Sequence, residues 1–350
     1  MSGKNIAVIG AGAWGTAMAQ ALARDNNTVE MWALEEDVVE SINTKHENIR
    51  YLPNFTLSNN ITATLDIKKA ASDKEFLILA SPSLYLASTV QQILDVPSIK
   101  DGSTCIGVLT KGFVPSSEGP KLILETLESV LPESYKGKLV YIAGPSHAEE
   151  VAIGKLTGLI VASENPMNSI RFRELLRVKG LLVYSSLDTI GVQICVAAKN
   201  VIAVVYGCLD AVAENSEIFG DNTESLLLAA GLNEIQILGT AMGSTHPETF
   251  SSIAGVGDLD VTCRSKYGRN RRFGQDIIQK NLLQNYSSLD DLIARIKEIG
   301  YLPEGAVACK YIHQIAEKRN LIAKLPICSG LYRILNREIE PLDFLKEILG

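Results

Sequence analysis

Lys199 sits in "VAAKNVIAVV" (Val196–Val205), a run that is apolar everywhere except at this lysine and the asparagine after it. On a helix its i±3 and i±4 neighbours are Cys195, Val196, Ile202 and Ala203, so no local acid can compensate the charge. An ammonium there follows its stem to the surface, pairs with a carboxylate from another segment, or lines a closed cleft and moves protons. Asp258, framed by glycine in "AGVGDLDVTC", is either a helix cap or the carboxylate that orients Lys199. A second lysine, Lys111 in "LTKGF", follows an apolar strand-like run, as do Gly144, Pro145 and Ser146 in "YIAGPSHAEEV". Open α/β sheets bind ligands at the carboxyl ends of their strands. A helix starting near Ser146 could offer its N-terminus to an anion, or Ser146 could simply cap it. Between Val261 and Gln275 stand Arg264, Lys266, Arg269, Arg271 and Arg272 with no acidic residue. That island suits a phosphate, planar guanidinium groups holding it bidentately, or else it is a solvated helix face. His147 and His246 have no partner at metal-ligand spacing, so no metal site is expected.

At the other end of the chain, "NIAVIGAGAWGTAMAQAL" places Gly10, Gly12 and Gly15 in a G-x-G-x-x-G run between an apolar strand and a helix. Gly10 permits the tight turn, Gly12 lets backbone approach a pyrophosphate, and Gly15 lets helix and strand pack closely. The helix N-terminus then offers free N–H groups to the phosphates. The second strand in "TVEMWALEED" ends near Ala33 and is followed by Glu35 and Glu36, with Glu30 earlier, as acids that could meet a ribose hydroxyl, or that merely open the next helix. No Arg or Lys follows that strand directly, which favours NAD over NADP without excluding the latter.

The elements that must position these groups divide at about residue 187. Before it, strand-like runs at Asn5–Ile9, Val29–Ala33, Phe76–Ala80, Thr104–Val108, Leu139–Ala143, Gly158–Ala162 and Leu181–Tyr184 alternate with helical segments such as Trp14–Arg24, Leu84–Leu94 and Lys121–Leu131. That rhythm predicts a parallel sheet with crossover helices. After it, Asp188–Ala213 has β-branched content that would suit a strand, but its length predicts a buried helix. Asp221 is expected to cap a helix reaching Met242, Glu304–Lys318 reads as a third helix, and the polar Gln279–Asp291 as a surface loop. The expectation is an α/β chain with a dinucleotide-binding domain at 1–187 and an all-α domain at 188–350.

A net charge of −7 argues against wholesale nucleic-acid binding while leaving room for a local basic pocket. Six scattered cysteines without a C-x-x-C pair read as thiols in a reducing compartment. Neither a secretory leader nor an uninterrupted apolar run near membrane-spanning length is visible, so a cytoplasmic protein without membrane insertion is expected.

Taken together, "GAGAWGTAMA", "TKG", "AGPSHAEEV", "AAKNVIAV", "GDN" at Gly220–Asn222, "HPETFSSIAGVGDLDVTC" and "GRNRRFG" run in one order over nearly the whole chain. In this the chain is similar to the NAD(P)-dependent glycerol-3-phosphate dehydrogenases, particularly those of bacterial type. The resemblance implies a Rossmann-type N-terminal domain, an all-helical substrate domain and catalysis between them. It implies reversible reduction of dihydroxyacetone phosphate to sn-glycerol 3-phosphate, which feeds phospholipid synthesis. Lys199 would then be the proton donor or acceptor, with Lys111 reaching cofactor and substrate and Asp258 completing the catalytic set. Gly144, Ser146, Gly268, Arg269 and Asn270 would meet the substrate. Ala13, Trp14, Ala148, Arg269, Leu302 and Glu304 would face the cofactor beside the glycine loop. Two departures stand out. Gly268 replaces a serine common in bacterial relatives, which removes one side-chain phosphate contact, and Leu34 replaces a frequent arginine, which again favours NAD. The expected partner is a phosphorylated small molecule, with a homodimer left open. Two other readings remain at this level: a related β-hydroxyacid or sugar-phosphate dehydrogenase, and an NAD(H)-sensing regulator without turnover.

Overall fold

The computed structural model describes residues 3–214, 216–265 and 268–349; Lys266 of the basic island lies outside them. Backbone contacts gather the chain into two compact units, one of Met1–Val114 with Lys121–Thr189, the other of Pro115–Pro120 with Ile190–Gly350.

The first unit is built on β1 (Asn5–Ile9), β2 (Thr28–Trp32), β3 (Ile61–Thr64), β4 (Phe76–Leu79), β5 (Cys105–Val108), β8 (Val140–Ala143), β9 (Thr157–Ala162) and β10 (Leu181–Ser186), with a separate hairpin of β6 (Phe113–Val114) and β7 (Lys121–Leu122). Its helices are α1 (Ala13–Ala23), α2 (Glu36–Lys45), α3 (Ile67–Ala71), α4 (Ser83–Gln91), α5 (Pro97–Lys100), α6 (Ile123–Val130), α7 (Ala148–Ile153) and α8 (Pro166–Leu175). The eight strands lie in the order β10-β9-β8-β5-β4-β1-β2-β3. Ile6 pairs with Val29 on one side and with Phe76 on the other, so β1 sits where the strand order reverses. Strands β4, β5 and β8 are buried at every residue, as expected of a sheet covered on both faces. The sheet departs from the expected all-parallel pattern at one seam, because β8 pairs antiparallel with β9. Strand direction is set by connections far from the strand itself, and the apolar runs carry no mark of it. The short β3, half exposed, carries too few apolar residues to register as a strand in the sequence.

The second unit is helical: α9 (Thr189–Ala213), α10 (Asp221–Met242), α11 (Glu248–Ser251), α12 (Asp258–Arg264), α13 (Arg269–Gln279), α14 (Leu289–Ala294), α15 (Glu304–Lys318), α16 (Pro326–Leu335) and α17 (Pro341–Leu349). Helix α9 runs 25 residues and its most apolar stretch is wholly inside the protein, so it is a core helix. It approaches α13 to backbone contact. A Cβ on Gly207 would stand 2.0 Å from the Arg271 carbonyl oxygen, and one on Gly274 would stand 2.0 Å from that of Val204. Two glycines facing each other thus bring the N-terminal end of α13 beside α9.

Two local expectations need correction. Asp221 is the first residue of α10 and not its cap; the Thr223 hydroxyl accepts from the Gly220 N–H instead, at 3.3 Å. The polar Gln279–Asp291 stretch is not a plain loop. It holds a 3₁₀ turn at Leu282–Asn285 and the start of α14, anchored by buried Tyr286, Leu289 and Leu292. Three well-placed apolar side chains outweigh the polar composition around them.

Candidate functional site

In the first unit the groups converge at the carboxyl ends of β1, β4 and β5. Gly10 closes β1 with φ +121°, and its N–H donates to the Trp32 carbonyl at 3.1 Å. A Cβ there would meet the Ala80 backbone at 2.9 Å, and a Cβ on Gly15 would meet the Gly10 carbonyl oxygen at 2.1 Å. Gly12, by contrast, has nothing within 4 Å of where its Cβ would stand. Helix α1 begins behind it with no side-chain cap and no acidic residue in its first turn, so its free N–H groups and positive dipole end meet no internal anion. That is the cradle a pyrophosphate requires, and the residues present fit a dinucleotide. Ala13 and Trp14 are the first two residues of α1, half-buried on the core of this unit together with Ala148, the first residue of α7.

The loop is held from outside by a residue that carried no signal in the sequence. Asn48, 1% exposed, donates its amide to the Ala11 carbonyl and to the Thr16 hydroxyl, both at 2.8 Å. A lone asparagine some thirty residues from its target cannot be told from a surface asparagine without the fold. Thr110 donates its hydroxyl to the Ser81 carbonyl at 2.7 Å and so ties the ends of β5 and β4 together. Lys111 follows directly, half-buried in the same loop. Gly144 adopts φ +130° and its Cβ would strike the Gly158 carbonyl oxygen at 2.6 Å. Ser146 is not a helix cap. Its hydroxyl donates to the Gly144 carbonyl at 2.9 Å, while α7 starts only at Ala148 and has six residues, too short to offer the anion site that the sequence suggested.

The acids in and after β2 are all committed or turned outward. Glu30 accepts from Lys74 at 2.9 Å, Glu35 accepts from the Tyr51 hydroxyl at 2.6 Å, and Glu36 is exposed in the first turn of α2. Tertiary structure also brings a cation to this corner. The Arg50 guanidinium lies 3.3 Å from Asp37 and 5.6 Å from the Tyr51 ring centroid. The expectation that no basic group stands beside the β2 end is therefore corrected, which weakens the lean to NAD over NADP.

In the second unit Lys199 and Asp258, 4% and 1% exposed, form a buried ion pair across 59 positions of sequence. The lysine therefore does not follow its stem to the surface but meets a carboxylate from another segment. Asp258 is the first residue of α12 and does not cap it; a π-type turn at Ile253–Gly257 delivers it, and its Oδ2 is buried with no partner among the described residues. Such an irregular turn inside helical structure is a recurrent device at functional sites. Thr262 donates its hydroxyl back to the Asp258 carbonyl at 2.5 Å.

Beside the pair runs an amide chain. Asn270 Nδ2 donates to Asn200 Oδ1 at 2.9 Å, the Gly305 N–H donates to Asn270 Oδ1 at 2.9 Å, and Asn200 Nδ2 donates to Glu304 at 3.4 Å. Asn200, buried next to Lys199, is a residue the sequence reading passed over. The basic island is divided by its partners. Arg271 is bidentate to Asp210 at 2.7 and 2.8 Å, Arg264 pairs with Asp260 at 2.8 Å, and Arg272 stacks 4.9 Å from the Tyr301 ring centroid. Among the described residues Arg269 has only the looser Glu304 contact at 3.6 Å, and it keeps more than half its side chain exposed. It is thus the guanidinium best able to receive a phosphate. Gly268 precedes it at the uncapped start of α13, and a Cβ there would lie 3.0 Å from the Thr262 carbonyl oxygen, a tight contact. Leu302 is partly exposed in the segment leading into α15.

Comparison with known proteins covers both units. Residues 5–169 match the family model for the NAD-dependent glycerol-3-phosphate dehydrogenase N-terminus, and residues 188–346 match the one for its C-terminus. The chain is 61% identical over 350 residues to a glycerol-3-phosphate dehydrogenase [NAD(P)+] of Treponema denticola, covering 98% of each chain. It is 37% identical to the enzyme of that name from Bacillus subtilis, covering 95% of this chain and 90% of the other. A crystal structure of glycerol-3-phosphate dehydrogenase from Coxiella burnetii superposes with a TM-score of 0.84 at 30% identity, over 99% of both chains.

Proposed function

Because this chain belongs to the NAD-dependent glycerol-3-phosphate dehydrogenase family, we propose that it interconverts dihydroxyacetone phosphate and sn-glycerol 3-phosphate, supplying the latter for phospholipid synthesis. Residues 1–187 are read as the dinucleotide-binding domain and 188–350 as the substrate domain. When bound, a nicotinamide dinucleotide supplies the hydride that reduces the C2 carbonyl. Gly10, Gly12, Gly15, Ala13 and Trp14 hold it through backbone N–H groups and the N-terminal end of α1, with Lys111, Ala148, Arg269, Leu302 and Glu304 as further contacts. Arg269, with Asn270 and Gly268 beside it, grips the phosphate, and Gly144 and Ser146 line the substrate. Lys199 gives a proton to the oxygen that becomes a hydroxyl and takes it back in the reverse direction. Asp258 holds the ammonium in place, and Lys111 contributes positive charge.

The observation that carries this reading is the buried Lys199–Asp258 pair. Removing two charges from water is costly, and a stabilising core would be served as well by apolar side chains. Its retention inside an apolar helix is what proton transfer demands. The test follows NADH absorbance with dihydroxyacetone phosphate, and NAD⁺ reduction with 3-hydroxyisobutyrate and 6-phosphogluconate. Turnover confined to the first is expected; a preference for either other substrate, or no turnover at all, overturns the reading. The same assay with NADPH gives the cofactor preference, for which Leu34 and the acids after β2 favour NAD and Arg50 favours tolerance of a 2′-phosphate. The cytoplasm is the proposed compartment, in keeping with six buried cysteine thiols. A homodimer is the proposed assembly, supported by α10, whose most apolar stretch is only 33% buried; light scattering tests it, and a monomer at working concentration would overturn it.

A further inference from the structure

Helix α13 carries more than the phosphate-gripping end. Arg269, Arg272 and Asp276 recur at i, i+3 and i+7, so they share one face. All three reach the same short segment, residues 300–305. Arg269 contacts Glu304 at 3.6 Å, the Arg272 guanidinium lies 4.9 Å from the Tyr301 ring centroid, and Asp276 accepts the Tyr301 hydroxyl at 2.7 Å. Asn270, on the adjoining row, accepts the Gly305 N–H at 2.9 Å. These contacts are unequal. The Arg269–Glu304 pair is long and largely exposed, whereas the Asp276 side chain is 9% exposed and also accepts from Lys280 at 2.7 Å. Burial pushes the Asp276 carboxyl up, but the bonds from Lys280 and Tyr301 with the charges of Lys280 and Arg272 outweigh it, so it stays ionised as an acceptor. A charge-assisted hydrogen bond of this kind is among the stronger side-chain contacts.

We propose that Tyr301 is a positioning residue for the cofactor: its hydroxyl, held by Asp276, fixes the segment bearing Leu302 and Glu304 on α13 independently of Arg269. The inference rests on the reading that Leu302 and Glu304 face the dinucleotide. It explains how one arginine can serve both ligands. A substrate phosphate that draws Arg269 away from Glu304 would release the segment if that ion pair were its main tether. With Tyr301 and Asn270 holding each side, Arg269 is free to turn to the phosphate while Leu302 stays in place. Tyr301 carries no mark in the sequence, since a tyrosine before Leu302 looks like any loop aromatic until Asp276, 25 positions earlier, lies against it.

The test uses Tyr301→Phe, which keeps the ring under Arg272 and removes only the hydroxyl, and Asp276→Asn as an independent lesion. NADH affinity is measured by direct titration, with kcat, KM for both substrates and Tm alongside. Tyr301→Phe should weaken NADH binding about three- to tenfold, a fraction of a charged hydrogen bond, with kcat close to wild type and Tm lowered by no more than about a few degrees. The double variant should be no weaker than the worse single one. Amide hydrogen exchange across 300–305 should quicken in each variant. NADH affinity equal to wild type overturns the proposal, whether or not exchange quickens, and so does an equal loss of affinity, kcat and Tm, which marks a fold defect. A wild type that binds NADH yet leaves dihydroxyacetone phosphate unreduced would end the proposed function without touching this result.

Discussion

The two units solve opposite problems with polar groups. The first exposes backbone: its ligand end is made of glycines and an uncapped helix start, and among the described residues it buries little charge beyond Asp188 and the Lys74–Glu30 pair. The second buries more, with Lys199, Glu234, Asp258 and Asp276 all inside it. One unit waits for an anion to complete its hydrogen bonds, and the other has assembled its partners from distant segments before any ligand arrives. A site made by leaving groups out is robust to most substitutions except those that fill it. A site made of buried charges is costly to assemble and fails when either partner is removed.

The largest expected effect comes from breaking the second strategy at its centre. Lys199→Ala should lower kcat by about 10² to 10⁴ while NADH binding stays intact, and turnover near wild type would take Lys199 out of the mechanism. It also leaves Asp258 buried without its cation, so a fall in stability of about 3 to 5 kcal/mol is expected in urea unfolding.

Glu234 tests whether every buried charge in this unit is matched by a counter-charge. Its partners are uncharged: it accepts from the Ile327 and Cys328 N–H at the start of α16 at 2.6 and 3.0 Å, and from the Cys328 thiol. Burial pushes its carboxyl up to about 7, the two backbone bonds opposing. A carboxyl whose pKa rises on folding contributes stability that is complete below the unfolded value near 4.5 and is lost as pH climbs through 7. Relative to Glu234→Gln, the wild type should therefore lose on the order of 3 kcal/mol between pH 4.5 and 8. A stability difference that is constant over that range would show the carboxyl titrating normally.

Smaller again is the effect of removing the one lightly held guanidinium. Arg269→Ala should raise KM for dihydroxyacetone phosphate by about tenfold to a hundredfold, the worth of a charged hydrogen bond, and NADH affinity far less. Equal losses would reassign the residue to the cofactor. The gentlest probe compares two glycines of one motif. Gly12→Val enters open space and should leave Tm unchanged while weakening NADH by about tenfold, ~1.4 kcal/mol. Gly15→Ala collides with the Gly10 carbonyl and should cost about 1 to 3 kcal/mol of stability. If both act on Tm alone, the glycine loop is a packing device.

How much of this was legible follows the same division. The strand, the glycine spacing and the helix after it lie within twenty residues, so the dinucleotide end could be read directly, and the length of α9 marked it as a buried helix. Glu35 and Arg50 show the limit even there. The acid was visible after β2, but its engagement by Tyr51 and the arrival of Arg50 depend on a chain reversal that leaves no periodic trace. The basic island shows it more sharply. Five cations in fifteen residues look alike in sequence, yet Asp210, Asp260 and Tyr301 occupy three of the four described ones and leave Arg269.

The amino-acid sequence alone determined the two-part architecture, the cofactor cradle and the presence of an uncompensated lysine in an apolar helix. These are properties of periodicity, length and spacing, set by neighbours along the chain. Only the tertiary structure decided that Asp258 meets Lys199, that Asn200 and Asn270 join α9 to α13, and that Tyr301 leans on Asp276. Pairing over tens of residues is chosen by which surfaces bury together, and a buried charge accepts whichever partner that packing delivers.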